Sequence, residues 1–285
     1  MHTATTIADI RTLLATERSH GRPIGFVPTM GALHAGHAAL IERSVAECAA
    51  TVVSVFLNPL QFGAGEDLER YPAAPEADRA LCRDLGVNHL FVPTTAEMYP
   101  RPLATAVRVE ALESVLCGAS RRGHFAGVCT VVAKLLNIVQ PDALYLGEKD
   151  YQQLVILRRM ARDLSIPVAV HGCPTVREPD GLALSSRNAY LSPEERAKAV
   201  TLSRALFEAA DAVRADACDA DDIVRRVTGQ VAVDFDRIDY VAVVDPDTLQ
   251  PVRGEVIQAR LCAAAYLGST RLIDNVALDA TARLS

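Results

Sequence analysis

The sequence has no C-x-x-C pair, although it holds seven cysteines, at 48, 82, 117, 129, 173, 218 and 262. Scattered and odd in number, they suit neither a disulfide framework nor a zinc ribbon, and read as buried free thiols of a reducing compartment. No apolar run is long enough to cross a membrane. Positions 1–21 lack the apolar core of a signal peptide; Ile7, Ile10, Leu13 and Leu14 fall instead at helical spacing, as on a surface helix. Positive charge is not in excess. The net charge is −6 and the pI about 5.7, which argues against a general nucleic-acid binder. Repeats and low-complexity tracts are missing too. These absences lead to the expectation of a cytoplasmic globular protein. Its 285 residues, half of them apolar and 22% charged, suffice for one large or two modest domains.

What is present is an alternation of short apolar runs and helical periodicities. Strands are predicted at 24–28, 51–57, 89–92, 143–146 and 168–170. Between them, helices are predicted from about 36 (apolar at Ala38, Leu40, Ile41, Val45 and Cys48), and at 75–86, 126–139 and 151–164. The run at 51–57 is apolar on both faces, as in a parallel sheet covered by helices. A polar loop fills 58–75, and 93–124 is irregular, with prolines at 93, 100 and 102. The alternation indicates an α/β fold with a Rossmann-like, doubly wound parallel sheet. After about 175 the pattern changes. Ser192 reads as an N-cap with Pro193 at the first position of a helix to about 214, and a second helix covers 220–229. Strands at 238–244, 256–265 and 271–276 complete a smaller C-terminal α+β domain, giving domains at 1–175 and 176–285.

Ligands of open α/β sheets bind at the carboxyl ends of strands, and four polar loops fall there. The first is PTMGALHAGH at 28–37. Its glycines allow close backbone approach, and the helix starting near Gly36 offers free N–H groups and a positive dipole end. His34 and His37 would add donors, making a triphosphate cradle. Taken alone, a loop that merely caps the helix reads equally well. Zinc is the lesser alternative, because no further ligands with suitable spacing lie nearby. The second loop, NPLQF at 58–62, offers the neutral amides of Asn58 and Gln61. The third, GEKDYQQ at 147–153, places Lys149 at a helix start, where a cation is misplaced unless an anion joins it. Asp150 fits an N-cap there, and Gln153 lies one turn on. The fourth, 176–188, carries Ser185, Ser186 and Arg187 and suits a polyphosphate clamp, or on its own a solvated linker. Arg121 and His124 are ambiguous individually. Four polar loops on one face together indicate a nucleotide site.

These same residues resemble the pantothenate synthetase (pantoate–β-alanine ligase) family of the His-x-Gly-His nucleotidyltransferase superfamily. The resemblance runs along nearly the whole chain: PTMGALHAGH, NPLQF, RYP at 70–72, GHFAGV at 123–128, GEKDYQQ and PTVREPDGLALSSRN at 174–188. It implies ATP- and Mg²⁺-dependent condensation of pantoate with β-alanine. The pantoate carboxylate attacks the α-phosphate to give pantoyl adenylate and pyrophosphate. The β-alanine amine then gives pantothenate and AMP. Met30, Gly31, Ala32, Leu33, His34, Ala35, Gly36 and His37 would line the ATP site, with Gly147, Glu148, Lys149 and Asp150, the last on ribose. Val176, Leu184, Ser185, Ser186 and Arg187 would cover adenine and phosphates. His34, His37, Lys149 and Arg187 would carry catalysis by stabilising charge. Gln61 and Gln153 would hold pantoate, and Asn58, Tyr71, Arg121 and His124 would shape the cavity. A metal held by side chains is not implied, nor are nucleic-acid or membrane partners; a homodimer is. The domain at 1–175 would bind nucleotide and pantoate, and the domain at 176–285 would close over them.

Three positions depart from the family pattern: Leu60 for threonine, Ala73 for arginine and Leu184 for methionine. Adenylyltransferases of coenzyme A and NAD synthesis share the histidine signature, but are shorter and lack the GEKDYQQ segment. A nucleotide sensor on the same fold would bind ATP without turnover. A dinucleotide dehydrogenase is disfavoured, since no G-x-G-x-x-G opens the first helix of the α/β pattern.

Overall fold

In the computed structural model, which describes residues 1–63 and 65–281, the chain divides into two units. Ala64, in the loop expected over 58–75, and the last four positions of the domain expected over 176–285 lie outside the described residues. The first unit comprises Met1–Ser114, Arg121–Glu148 and Ile156–Pro174. The second comprises Val115–Ser120, Lys149–Val155 and the chain from Thr175 onward.

The chain order is β1 (His2–Ala4), α1 (Ile7–Ser19), β2 (Ile24–Thr29), α2 (Ala35–Glu47), β3 (Ala50–Val55), α3 (Pro75–Asp84), β4 (His89–Phe91), α4 (Thr95–Met98), α5 (Cys117–Ser120), α6 (His124–Val139), β5 (Ala143–Gly147), α7 (Tyr151–Asp163) and β6 (Ala169–Cys173). The first six strands form one sheet in the order β1-β4-β3-β2-β5-β6, and every pairing is parallel. From β2 the chain steps outward through β3 to β4, then returns to lay β5 on the other side of β2. That reversal is the switch point of a doubly wound sheet, where loops leaving adjacent strands part and admit a ligand. The loops starting at Met30 and Glu148 emerge there side by side. Ile24, Phe26 and Val27 of β2 and Val52 and Val53 of β3 are fully buried. This accounts for their unbroken apolar runs: both faces of these strands are covered.

Several elements differ from the periodicity. β1 is a three-residue strand paired to β4, too short to leave a pattern. α1 buries Ile10 and Leu14 completely and is therefore packed rather than a surface helix. On α2 the buried stripe is Leu40, Ile41 and Ser44; Val45 is 38% exposed. Ser44 can be buried because its hydroxyl meets that of Thr51 at 2.8 Å. α6 starts at His124, two residues early, after Gly123 at φ 83. β6 continues to Cys173. No disulfide forms; all seven cysteines are free thiols.

The second unit adds α8 (Pro193–Ala215), α9 (Ala220–Val231), β7 (Arg237–Val244), β8 (Gln258–Leu267) and β9 (Thr270–Asp279). The three strands form an antiparallel sheet in chain order. A reciprocal cap opens α8: Glu195 N–H donates to Ser192 Oγ at 3.2 Å and Ser192 N–H to Glu195 Oε2 at 2.8 Å. Leu202, Leu206, Ala209 and Val213 of α8 pack with Ile223 and Val227 of α9 on Leu261, Ala263, Ala265 and Leu272 of the sheet. By strand alternation the other face carries Tyr240, Cys262 and Asn275. Segments 115–120 and 149–155 lie against it, through Cys117 Sγ to Tyr240 Oη at 3.2 Å and Asn275 to Lys149 at 3.0 Å.

Two close fits shape the first unit's loops. After β2 the backbone turns left-handed at Gly31 (φ 90) and at Ala32 (φ 52). A non-glycine residue there costs about 1 kcal/mol, so something must hold the turn. Asp78 does: 3% exposed on the first turns of α3, its carboxylate accepts Ala32 N–H at 2.9 Å and Leu33 N–H at 2.7 Å. At Gly127 of α6, an added Cβ would stand 2.2 Å from the Leu60 carbonyl oxygen and 2.8 Å from Gln61 Cα. Only glycine lets the turn at Pro59–Gln61 lie so near the helix. Removing the Asp78 carboxylate strands two backbone donors. Asp78→Ala is expected to lower stability by about 3 kcal/mol, with Asp78→Asn intermediate, as read by urea unfolding. A loss below about 0.5 kcal/mol, the usual size of a neutral surface change, would show that the turn holds itself.

Candidate active site

The sequence left the two histidines of the first loop with three readings: phosphate donor, helix cap and, less readily, zinc ligand. The geometry makes the cap. His34 is the N-cap of α2, and its Nδ1 accepts Gly36 N–H at 3.1 Å. His37 Nδ1 accepts His34 N–H at 3.3 Å. The two rings sit with centroids 4.2 Å apart. Because each Nδ1 is an acceptor, a neutral ring carries its proton on Nε2 and donates from there. The cap therefore occupies Nδ1 of each ring and leaves Nε2 outside the capping contacts. Both residues stand at the N-terminus of a 13-residue helix, its positive dipole end.

Beside that loop, the first unit holds a continuous polar chain. Gln61 Nε2 donates to Met30 Sδ at 2.9 Å. Asn58, 1% exposed, donates from Nδ2 to Gln61 Oε1 at 3.1 Å and to Gly127 O at 3.3 Å, and accepts the Tyr99 hydroxyl at 2.8 Å. Burial pushes the Tyr99 phenol up to about 12, so it remains a donor at neutral pH. His124 Nδ1 meets Gln61 O at 2.8 Å and its Nε2 meets Arg121 Nη1 at 2.9 Å. A carbonyl must accept and a guanidinium must donate, so His124 is neutral with its proton on Nδ1. Arg121 forks onto Glu66, Nε to Oε1 at 2.8 Å and Nη2 to Oε2 at 2.6 Å. Tyr71 stands edge-on to Phe62, ring centroids 6.1 Å apart. Tyr99, Glu66 and Gly127 were not among the residues picked from sequence. Tyr99 and Glu66 sit 41 and 55 positions from their partners, and no local pattern marks such pairs.

A 3₁₀ turn at Glu148–Asp150 leads into α7, and Lys149 to Val155 belong to the second unit. Lys149 is half-buried, with Nζ 4.0 Å from Asp150 Oδ1. The adjacent glutamines divide: Gln152 is buried and holds Cys117 N–H at 3.0 Å and Val115 O at 2.7 Å, while Gln153 is half-buried. The stretch 176–188 is not a solvated linker. It is a hairpin in which Leu184 N–H reaches Val176 O at 3.0 Å and Glu178 N–H reaches Leu182 O at 2.8 Å, turning at Gly181 (φ 95). Ser185 then caps a 3₁₀ turn, Ser186–Tyr190, its Oγ accepting Arg187 N–H at 3.3 Å. Val176, Leu184, Ser185, Ser186 and Arg187 thus share one hydrogen-bonded segment. Gly147 closes β5, and Glu148 follows it on the edge of the first unit.

Among the described residues, no group of three His, Cys, Asp or Glu side chains could hold a metal ion. In each unit the donors described are N–H groups, amides and cations, types suited to phosphate and carboxylate oxygens.

The sequence pattern of the family described as Pantoate-beta-alanine ligase matches residues 2–277. Pantothenate synthetase of Moorella thermoacetica is 50% identical over 275 residues, 96% of this chain and 97% of the relative. The crystal structure of pantothenate synthetase from Thermus thermophilus superposes with a TM-score of 0.92 at 50% identity, covering 98% of this chain and all of that one. Pantoate-beta-alanine ligase of Francisella tularensis, solved in complex with beta-gamma ATP and beta-alanine, gives 0.79 at 33% identity, with 97% of each chain covered. With the family's pattern on all but a few terminal residues and its fold throughout, this chain belongs to the pantoate–β-alanine ligase family.

Proposed function

We propose that the chain joins pantoate to β-alanine at the expense of ATP, through a pantoyl adenylate, releasing pyrophosphate and then AMP. The observation that carries this reading is the imidazole cap of α2, which turns two histidines into Nε2–H donors at a helix N-terminus. Family membership supports it, as does the relative that binds beta-gamma ATP and beta-alanine.

In this reading the residues 30–37 receive the triphosphate, and His34 and His37 stabilise the charge that passes to pyrophosphate. Lys149 and Arg187 neutralise charge at the reacting phosphate, with Ser185 and Ser186 gripping the same chain of oxygens. Gly147, Glu148, Asp150, Val176 and Leu184 take the rest of the nucleotide, Asp150 on ribose. Gln61 and Gln153 hold pantoate, in a cavity shaped by Asn58, Tyr71, Arg121 and His124. A carboxylate meeting a polyanion needs offset repulsion and an aligned approach, and no covalent enzyme nucleophile. Magnesium fits as an ion carried on the ATP phosphates, a common mode for this cation, where it supplies further charge neutralisation. The proposal includes a cytoplasmic homodimer, recognisable by its sedimentation mass, and a closing role for the second unit. Among the described residues no helix is long and apolar enough to cross a membrane.

The first test is pyrophosphate release from Mg-ATP and pantoate. A burst near one equivalent, turning over only once β-alanine is added, is expected. His37→Ala and Lys149→Ala should each cut the burst rate by about 10²–10³. Wild-type protein that binds ATP yet releases no pyrophosphate with pantoate would refute the ligase reading.

A second test concerns Glu66. Burial alone would raise its carboxyl, but the hydrogen bonds and charge of Arg121 outweigh it and hold the group below its ordinary 4.5. A carboxyl lowered on folding contributes stability that is complete above the ordinary value and fades as pH falls through the lowered one. Glu66→Gln is thus expected to cost about 1–2 kcal/mol near neutrality, a difference that shrinks as the pH falls below the ordinary 4.5 and is lost below the lowered value. A pH-independent difference would remove the ion pair as its cause.

A further inference from the structure

Two neighbouring residues of β9 face opposite ways, and each ends on a segment to which the proposed function assigns phosphate contacts. Asp274 lies opposite Ala263 and Asn275 opposite Cys262, so their side chains leave the sheet on opposite faces. Both are 4% exposed, a depth at which polar groups must be partnered.

Asp274 takes both arms of Arg177, Nη1 to Oδ2 at 2.7 Å and Nη2 to Oδ1 at 2.8 Å. The same Nη1 donates to Gly181 O at 2.9 Å, binding the tip of the 176–184 hairpin. On the other face, Asn275 Nδ2 donates to Lys149 O at 3.0 Å, and its Oδ1 accepts Arg260 Nε at 2.6 Å. Arg260 lies over the Tyr151 ring at 4.1 Å, and the Tyr151 hydroxyl donates to Pro246 O at 3.1 Å. The residue types suit these tasks. A carboxylate accepts a guanidinium fork in two parallel bonds. A carboxamide can give a hydrogen to one main-chain carbonyl while taking one from an arginine, which a carboxylate cannot.

We propose that Asp274 and Asn275 form one anchor that sets the spacing between Lys149 and the hairpin bearing Ser185, Ser186 and Arg187. This rests on the proposed function, in which both segments serve one triphosphate. They lie more than twenty-five positions apart in the chain, and neither is part of a long element that could place the other. A single rigid strand, gripping one segment from each face, supplies the common reference. Asp274 and Asn275 are positioning residues. They hold main chain and a second-row arginine, and leave the phosphate contacts to others.

The test is a double-mutant cycle on the rate of pantoate-dependent pyrophosphate formation, with Asn275→Asp, Lys149→Ala and both together. Aspartate keeps the Arg260 contact but turns an oxygen toward Lys149 O. A displacement near 1 Å should slow this step roughly 10- to 100-fold. The attack of β-alanine on preformed adenylate should stay within about twofold, and the double variant should be no slower than Lys149→Ala by more than about threefold, since the anchor acts through that lysine. Asn275→Asp within twofold of wild type, or losses that multiply in the double variant, would overturn the anchor while leaving the ligase reading intact. A Lys149→Ala enzyme with wild-type rate would instead bring down the assignment on which the anchor rests. If Asn275→Asp does not fold, Arg260→Gln, which releases the amide from its orienting donor, enters the same cycle under the same criteria. Asp274→Asn should raise the KM for ATP by about tenfold through a loosened hairpin, with the KM for β-alanine within about twofold. An equal rise in both would mark general loosening and overturn the positioning role.

Discussion

On the proposed function, the imidazole cap of α2 reconciles two opposing demands on one spot. A helix N-terminus needs acceptors for its first amides, and an anion site needs donors in the same place. Serine or aspartate at position 34 would satisfy the helix, but aspartate would repel a phosphate. Histidine presents an accepting nitrogen and a donating one on opposite sides of a rigid ring. His34 and His37 use Nδ1 on the backbone, 3.1 and 3.3 Å away, and so determine which nitrogen carries the proton. The surroundings serve this arrangement. Asp78 holds the left-handed turn that delivers the chain to His34, and Gln61 ties the start of that turn, through Met30, to the amide network around Asn58.

The same economy governs the polar chain from Tyr99 to Glu66. Each member has a settled donor or acceptor role because its neighbour leaves no other. Tyr99 gives, Asn58 takes and gives, His124 gives to a carbonyl and takes from Arg121. Satisfied networks of this kind hold a cavity wall in one arrangement. In the second unit a buried Asp-Asn pair on β9 bonds Arg177 of the 176–184 hairpin on one face and the Lys149 backbone on the other. Both units thus use buried, fully partnered polar groups to place loops, while the apolar core places the strands.

The sheet was legible in the sequence because its central strands bury both faces, which leaves unbroken runs such as 51–57. The capped start of α8 was legible through Ser192, Pro193 and Glu195, a local signature with a local cause. β1 was not legible, because three residues carry no period. Neither was Val45, because the stripe of α2 is completed by Ser44, whose burial depends on Thr51 across the fold. In the candidate site, glycines, amides and charged residues at strand ends drew attention to 28–37, 58–62, 147–153 and 176–188. Their supports escaped notice. Asp78, Glu66, Tyr99 and Asn275 meet their partners only through tertiary structure, and an isolated acid or amide on a helix or strand resembles any other surface residue until the chain is folded.

The central claim is that the cap sets the tautomers of His34 and His37, leaving Nε2–H as the donor toward an anion. Nitrogen-15 correlation spectra of the histidine side chains, recorded at slightly alkaline pH, test it directly. Both rings should show the Nε2–H tautomer in the absence of ligand, and added ATP should shift their Nε2 signals while the Nδ1 signals stay. Nδ1–H in either ring, or Nε2 signals that ignore ATP, would contradict the account.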